Sequence, residues 1–121
     1  MIAATGGLVV AAIITYRLNF GTEEQLHRGL AYLFELSGFA FTPEVVLAPG
    51  DRVDFMLDSV AVEAKIEGSA SSILRQLQRY AASPRVSELV LVTSKLQHAR
   101  QFPPTVGGKP LHLAVLGANS L

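Results

Sequence analysis

The chain has no cysteine. That single absence excludes disulfides, zinc–thiolate sites, iron–sulfur clusters and thiol nucleophiles together. Charge is also sparse: 17% of the residues are charged and the formal net charge is zero, so bulk electrostatics do not announce a polyanion binder. No basic stretch precedes the apolar N-terminal run, which makes the first residues a poor signal peptide. The run from Gly6 to Tyr16 is too short to span a bilayer. A cytoplasmic protein without a membrane partner is the expectation. "TGGLVV" lacks the G-x-G-x-x-G spacing and follows no strand, so it is not a dinucleotide loop. His27, His98 and His112 show no metal-ligand spacing, and no serine–histidine–acid pattern is legible.

What is present is largely apolar. Half of the 121 residues are hydrophobic, enough for one compact domain with a single core. The charges that exist are unevenly placed. Residues 1–64 carry three Lys/Arg and eight Asp/Glu, a balance of −5. Residues 65–121 carry seven and two, a balance of +5. An acidic half beside a basic half suits a metal site next to a polyanion track. The apolar extension, residues 1–20, needs a buried home, as a strand or helix packed on the core or on a second chain.

Thr22-Glu23-Glu24-Gln25 fits a capping box. Leu26, Leu30, Leu33 and Phe34 follow at helical spacing and Gly38 stops them, which predicts a helix over 22–37. "FAFTPEVVLA" reads as a strand with Pro43 at an edge or early position. Pro49-Gly50 is a turn between this strand and two more, over 52–57 and 60–66. Gly68-Ser69 can cap a helix from about 70 to 82. "SELVLVTS" suits a strand buried on both faces, and the passage from 60 to 93 implies a crossover between parallel strands. The rest reads as a meander, with a short helix in "KLQHARQF", a loop in "PPTVGGKP" and a last strand in "LHLAVLG". The fold class is α/β, a mixed sheet with helices packed on it. A recognisable core spans 22–95, and a helix and strand follow within 96–121.

Inside the two central strands, Asp54, Glu63 and Lys65 interrupt apolar runs. With Leu57-Asp58-Ser59-Val60 as the hairpin turn, Met56 faces Ala61, Phe55 faces Val62 and Asp54 faces Glu63. Opposed residues have Cβ atoms about 4.5–5.5 Å apart, and Lys65, two beyond Glu63, points the same way. Val53, Phe55 and Leu57 are then expected on the other face. Two opposed carboxylates repel each other, more so when buried. Magnesium or manganese between them converts repulsion into binding, and a neighbouring lysine can offset charge on a phosphoryl transition state. The pattern points to metal-dependent phosphodiester hydrolysis.

"Val53-Asp54 … Glu63-Ala64-Lys65", together with the order α–β–β–β–α–β, resembles the PD-(D/E)xK nuclease superfamily, whose fold is restriction-endonuclease-like. Valine stands here in place of the family's proline. The resemblance implies an Mg²⁺- or Mn²⁺-dependent nuclease acting on nucleic acid, most simply DNA, with Asp54, Glu63 and Lys65 as the catalytic set. It also implies an acid on the first helix to complete the metal site. Glu23 lies about 35° from the centre of that helix's apolar stripe and Glu24 about 135° away, so Glu23 is the choice. Related nucleases often carry a glutamine on the helix after the lysine, here Gln76. Arg75, Arg79, Tyr80 and Lys95 are the further candidates for nucleic-acid contact. Asp51 is a decoy, since it would fall on the wrong face. A domain this small is expected to work as a homodimer or larger oligomer. Two other functions fit the same residues: a catalytically idle domain of this fold that binds nucleic acid or a partner protein, and a structural subunit whose polar hairpin face is an interface.

Overall fold

The computed structural model describes residues 2–117, apart from the side chains of Leu96 and His98. The N-terminal run becomes α1, Gly6–Ile14, with the Thr5 side chain accepting the Leu8 N–H at its start. Val9 and Ile13 on its inner face are fully buried. The extension is therefore a helix packed on the core. α2 spans Glu23–Leu36 and opens with the expected capping box, Thr22 and Gln25 each bonding the other's backbone N–H. Three strands follow, β1 (Thr42–Ala48), β2 (Asp51–Leu57) and β3 (Val60–Lys65). α3, Ala70–Ala81, is capped by Ser69 and leads into β4, Glu88–Thr93, which pairs parallel with β3. A single-turn α4 (Leu96–Ala99), a two-residue β5 (Thr105–Val106) and β6 (Lys109–Val115) complete the chain. Of the C-terminal segment, residues 118–121 lie outside the described residues, as does Met1.

The six strands form one mixed sheet in the order β1-β2-β3-β4-β6-β5. β1 is an edge strand, which is where Pro43 can be accommodated. The core has two layers. On one face α1 and α2 press Val9, Ile13, Leu30 and Phe34 onto Phe55, Val62 and Val92. On the other, α3 presses Ile73, Leu77 and Tyr80 onto Met56, Ala61 and Leu91. Each such large side chain taken out of water contributes about 1.5–3 kcal/mol. β4 supplies both layers, and so its sequence is apolar from Leu89 to Val92.

Three sequence expectations are corrected. The C-terminal part is not a meander, because β6 pairs parallel with β4 through a second crossover. "PPTVGGKP" is not simply a loop: Gly107 and Gly108, at φ 58° and 77°, make the tight turn that lets β5 pair with β6. Val53 does not share a face with Phe55 and Leu57 but joins the α3-side layer with Met56. Alternation is broken at Asp54, opposite Glu44, which adopts a positive φ of 53° in the neighbouring strand.

Gly6 sits where a side chain does not fit. A Cβ there would lie 2.1 Å from the His112 ring, and that ring is held by Glu88 at 2.8 Å. A Cβ on Gly7 meets nothing within 4 Å. Gly6→Ala should destabilise by about 1–3 kcal/mol through overpacking. Gly7→Ala should be neutral or stabilising by up to about 1 kcal/mol. Thermal melts of the two variants check this, and equal melting temperatures would contradict the docking of α1 on β6.

Candidate active site

The β2–β3 ladder runs from Leu57↔Val60 through Met56↔Ala61 to Phe55↔Val62. There the strands fork, and side chains take the place of main-chain partners. The Asp54 N–H donates to Glu63 Oε1 at 3.2 Å, and the Ala64 N–H donates to Asp54 Oδ2 at 2.8 Å. Each carboxylate is thus held by the backbone of the opposing strand. The two acids are opposed as expected, but they do not rise from one face of the sheet. Because alternation breaks at Asp54, its carboxylate meets His27 from α2, with Nε2 3.2 Å from Oδ2. Glu63 meets Tyr80 from α3, at 3.3 Å.

Lys65 lies with its Nζ 3.3 Å from Glu63 Oε2. Glu23 reaches the same fork from the first turn of α2, where its Oε1 accepts the Ile66 N–H at 3.4 Å. The helical angle argument for Glu23 over Glu24 holds, since Glu24 instead faces Arg28 on the exposed side. The structure therefore brings together Asp54, Glu63, Lys65 and Glu23. It adds His27, which sequence reasoning missed. The signal was available: His27 is four residues after Glu23, so both lie on one helical face.

The α3 candidates separate. Tyr80 is wholly buried and cannot touch nucleic acid. Its hydroxyl lies 2.7 Å from the Arg52 carbonyl, accepts from Gln76 Nε2 at 2.8 Å and approaches Glu63. One phenolic proton cannot serve two acceptors, and the shorter distance assigns it to Arg52. Gln76 is tied to Tyr80 and so reaches the site only through it. Arg79 is paired with Asp51 at 2.8 Å, which disposes of Asp51 as a competing acid. Arg75 is exposed on the same helix. Lys95 is exposed just beyond β4, with its Nζ 3.9 Å from Glu67.

Glu63 is 2% exposed, and its burial is costly. Burial first, and the Asp54 charge second, push its carboxyl up to about 7, against the opposing pull of Lys65. Asp54 is also raised above its ordinary value, mainly by burial, while the Ala64 N–H, His27 and Lys65 oppose the rise. Tyr80 is raised by burial and by the two carboxylates, so it stays protonated. Among the described residues no buried side-chain nitrogen or oxygen lacks a hydrogen-bond partner. The fork is saturated with hydrogen bonds but carries excess negative charge.

Among the described residues no three histidine or acidic side chains converge as a ready-made metal cage. Asp54, Glu63 and Glu23 supply the carboxylate oxygens at the fork. No helix among the described residues is long and apolar enough to cross a membrane. No protein-family model, curated protein or solved structure matches the chain, so a functional reading rests on this geometry.

The raised carboxyl has a stability consequence. Glu63 holds its proton more tightly folded than unfolded, so it contributes stability below about pH 4.5 that is lost as pH rises towards about 7. Asp54→Asn removes the like charge that helps to raise it. Without metal, the variant should melt higher than the parent at pH 8, by several degrees, and the difference should shrink at pH 5. A thermal melt across that range in EDTA is the check. A variant that melts lower at pH 8 would show that the acids do not oppose each other.

Proposed function

We propose that the protein is a metal-dependent nuclease that hydrolyses phosphodiester bonds in nucleic acid, with DNA as the first substrate class to test. The observation that carries this reading is the fork itself. A buried Glu63 and a half-buried Asp54, mutually repelling, face each other with an amine 3.3 Å from Glu63. A fold has no stability reason to place them so, and a divalent cation beside a phosphate would balance them. The element order α2–β1–β2–β3–α3–β4 and the match to the PD-(D/E)xK pattern support the same reading and a restriction-endonuclease-like core.

Asp54 and Glu63, joined by Glu23, would hold magnesium or manganese, which when bound supplies Lewis-acid charge to the phosphoryl oxygens and acidifies a water. The remaining roles belong to the chain. Lys65 presents positive charge at the one side of the fork where Glu63 is anchored, and so favours the extra negative charge of the transition state. The N–H groups of Asp54 and Ala64 fix the carboxylates in position. Tyr80 packs beneath Glu63, its ring fixed by the Arg52 carbonyl and by Gln76. His27 orients Asp54 from α2. This distributes the work so that no acid is free to turn away.

The test is incubation of the purified protein with labelled single-stranded, duplex and branched DNA and with RNA, in magnesium, manganese or EDTA. Cleavage should appear with metal and vanish in EDTA. Asp54→Asn, Glu63→Gln and Lys65→Ala should each lower it by about a hundredfold or more. A folded parent that cleaves none of these with manganese would leave the idle nucleic-acid- or protein-binding domain as the better reading.

A further inference from the structure

The edge of the sheet that carries Lys65 has a second feature. β3, β4 and β6 end side by side, with Lys65 in register with Thr93 and Thr93 in register with Val115. Adjacent strands lie about 4.8 Å apart, so Val115 stands about 10 Å across the sheet from Lys65. Next to Val115 opens a cleft of about 390 Å³. Ile13 and Leu116 give it an apolar floor, while Tyr16, Arg17 and Phe20 from the α1–α2 connection line its rim. Both rings are 36% exposed, and Arg17 is exposed as well. The same connection then enters the fork. Phe20 precedes Glu23 by three residues, a reach of at most about 11 Å. Cleft and acidic centre are thus neighbours along one edge and along one stretch of chain.

The lining chemistry selects among ligands. An apolar molecule would have no use for the guanidinium, and a bare anion none for two rings above an apolar floor. A nucleotide uses all of them: its base offers a π face to the rings and its phosphate a partner to Arg17. Inside a duplex that face is covered by the neighbouring base pairs, so only an unpaired base can enter. About 10 Å corresponds to roughly three stacked steps of 3.4 Å, which places the bound base a few nucleotides from the phosphate at the fork.

We propose that this cleft is a subsite for an unpaired nucleotide of the strand whose backbone lies at the Asp54–Glu63 fork, and that the protein therefore prefers single-stranded or frayed nucleic acid. The proposal rests on the nucleic-acid reading of the fork, but it is tested by binding, without catalysis. Fluorescence anisotropy of a labelled short oligothymidylate and of a blunt duplex of equal length, both in EDTA, is the measurement. The parent should bind the single strand more tightly than the duplex. Tyr16→Ala and Phe20→Ala should each weaken single-strand binding by about five- to a hundredfold and change duplex binding by less than about twofold. Arg17→Ala should lower the salt slope for the single strand by about 0.7. Tyr16→Phe, which keeps the ring, should bind as the parent, whereas Tyr16→Leu, which keeps only apolar bulk, should not; this pair discriminates even if an alanine variant unfolds. Equal binding of both oligonucleotides, or Tyr16→Leu binding as well as Tyr16→Phe, overturns the subsite. Single-strand binding without cleavage in manganese would keep the subsite and remove the nuclease. Cleavage that is unaltered in the Tyr16 and Phe20 variants, with unaltered binding, would keep the nuclease and remove the subsite.

Discussion

The arrangement at the fork turns on the repulsion between Asp54 and Glu63. Two carboxylates brought together and withdrawn from water destabilise a fold unless each is compensated. Here the compensation comes from the backbone, from β3 and from α2. The opposing strands donate their own N–H groups. Lys65 offers charge along β3. His27 comes from the layer above, while Tyr80, in the layer below, gives its proton to the Arg52 carbonyl and only packs against Glu63. The helices on both faces are therefore tied to the same pair of acids, and the sheet is opened locally to admit them.

That opening explains why β2 departs from regular alternation. A strand with a strict period of two would send Val53, Phe55 and Leu57 to one face and Asp54 with Met56 to the other. Asp54 would then crowd Tyr80 and the α3-side core. The break at Asp54 turns its carboxylate towards α2 instead, and Val53 moves into the α3-side layer. The two acids approach from opposite faces and meet in the plane of the sheet. The positive φ of Glu44 in β1 marks the same point in the adjacent edge strand. An edge strand, with one partner only, tolerates such an irregularity better than a central one.

Local signals were legible where physics is local. Thr22, Gln25 and Ser69 announce helix starts because capping needs only neighbouring residues. The hairpin register follows from the turn at Asp58-Ser59, and it places Asp54 opposite Glu63 without any tertiary knowledge. Glu23 follows from helical geometry. What escaped depends on distant contacts. The face reversal at Asp54 is decided by packing against α2 and α3. β6 next to β4 is a choice of sheet edge that no short pattern encodes. Tyr80 stands as a candidate for nucleic-acid contact until the Arg52 carbonyl beneath it is known. His27 could have been found, since it shares a face with Glu23, but three scattered histidines gave no reason to single it out.

The opposite end of the sheet shows what this chain does with an acid under no such constraint. Glu88, at the start of β4, accepts the Gly6 N–H in the first turn of α1 and pairs with His112. A carboxylate there gains from the positive end of a helix and from a neighbouring base, and no other acid is forced against it. The N-terminal edge of the parallel strands is thus built for stability, with Asp58 holding the Ala4 N–H beside it. At the C-terminal edge, two strand positions from the end of β3, Glu63 is buried against a like charge with its carboxyl pushed up to about 7. In open α/β sheets the carboxyl ends of the strands are where ligands are held, and the contrast between the two edges follows that division. A chain able to settle Glu88 among favourable partners, yet holding Glu63 against Asp54, keeps an electrostatic strain that protonation of Glu63 relieves as pH falls.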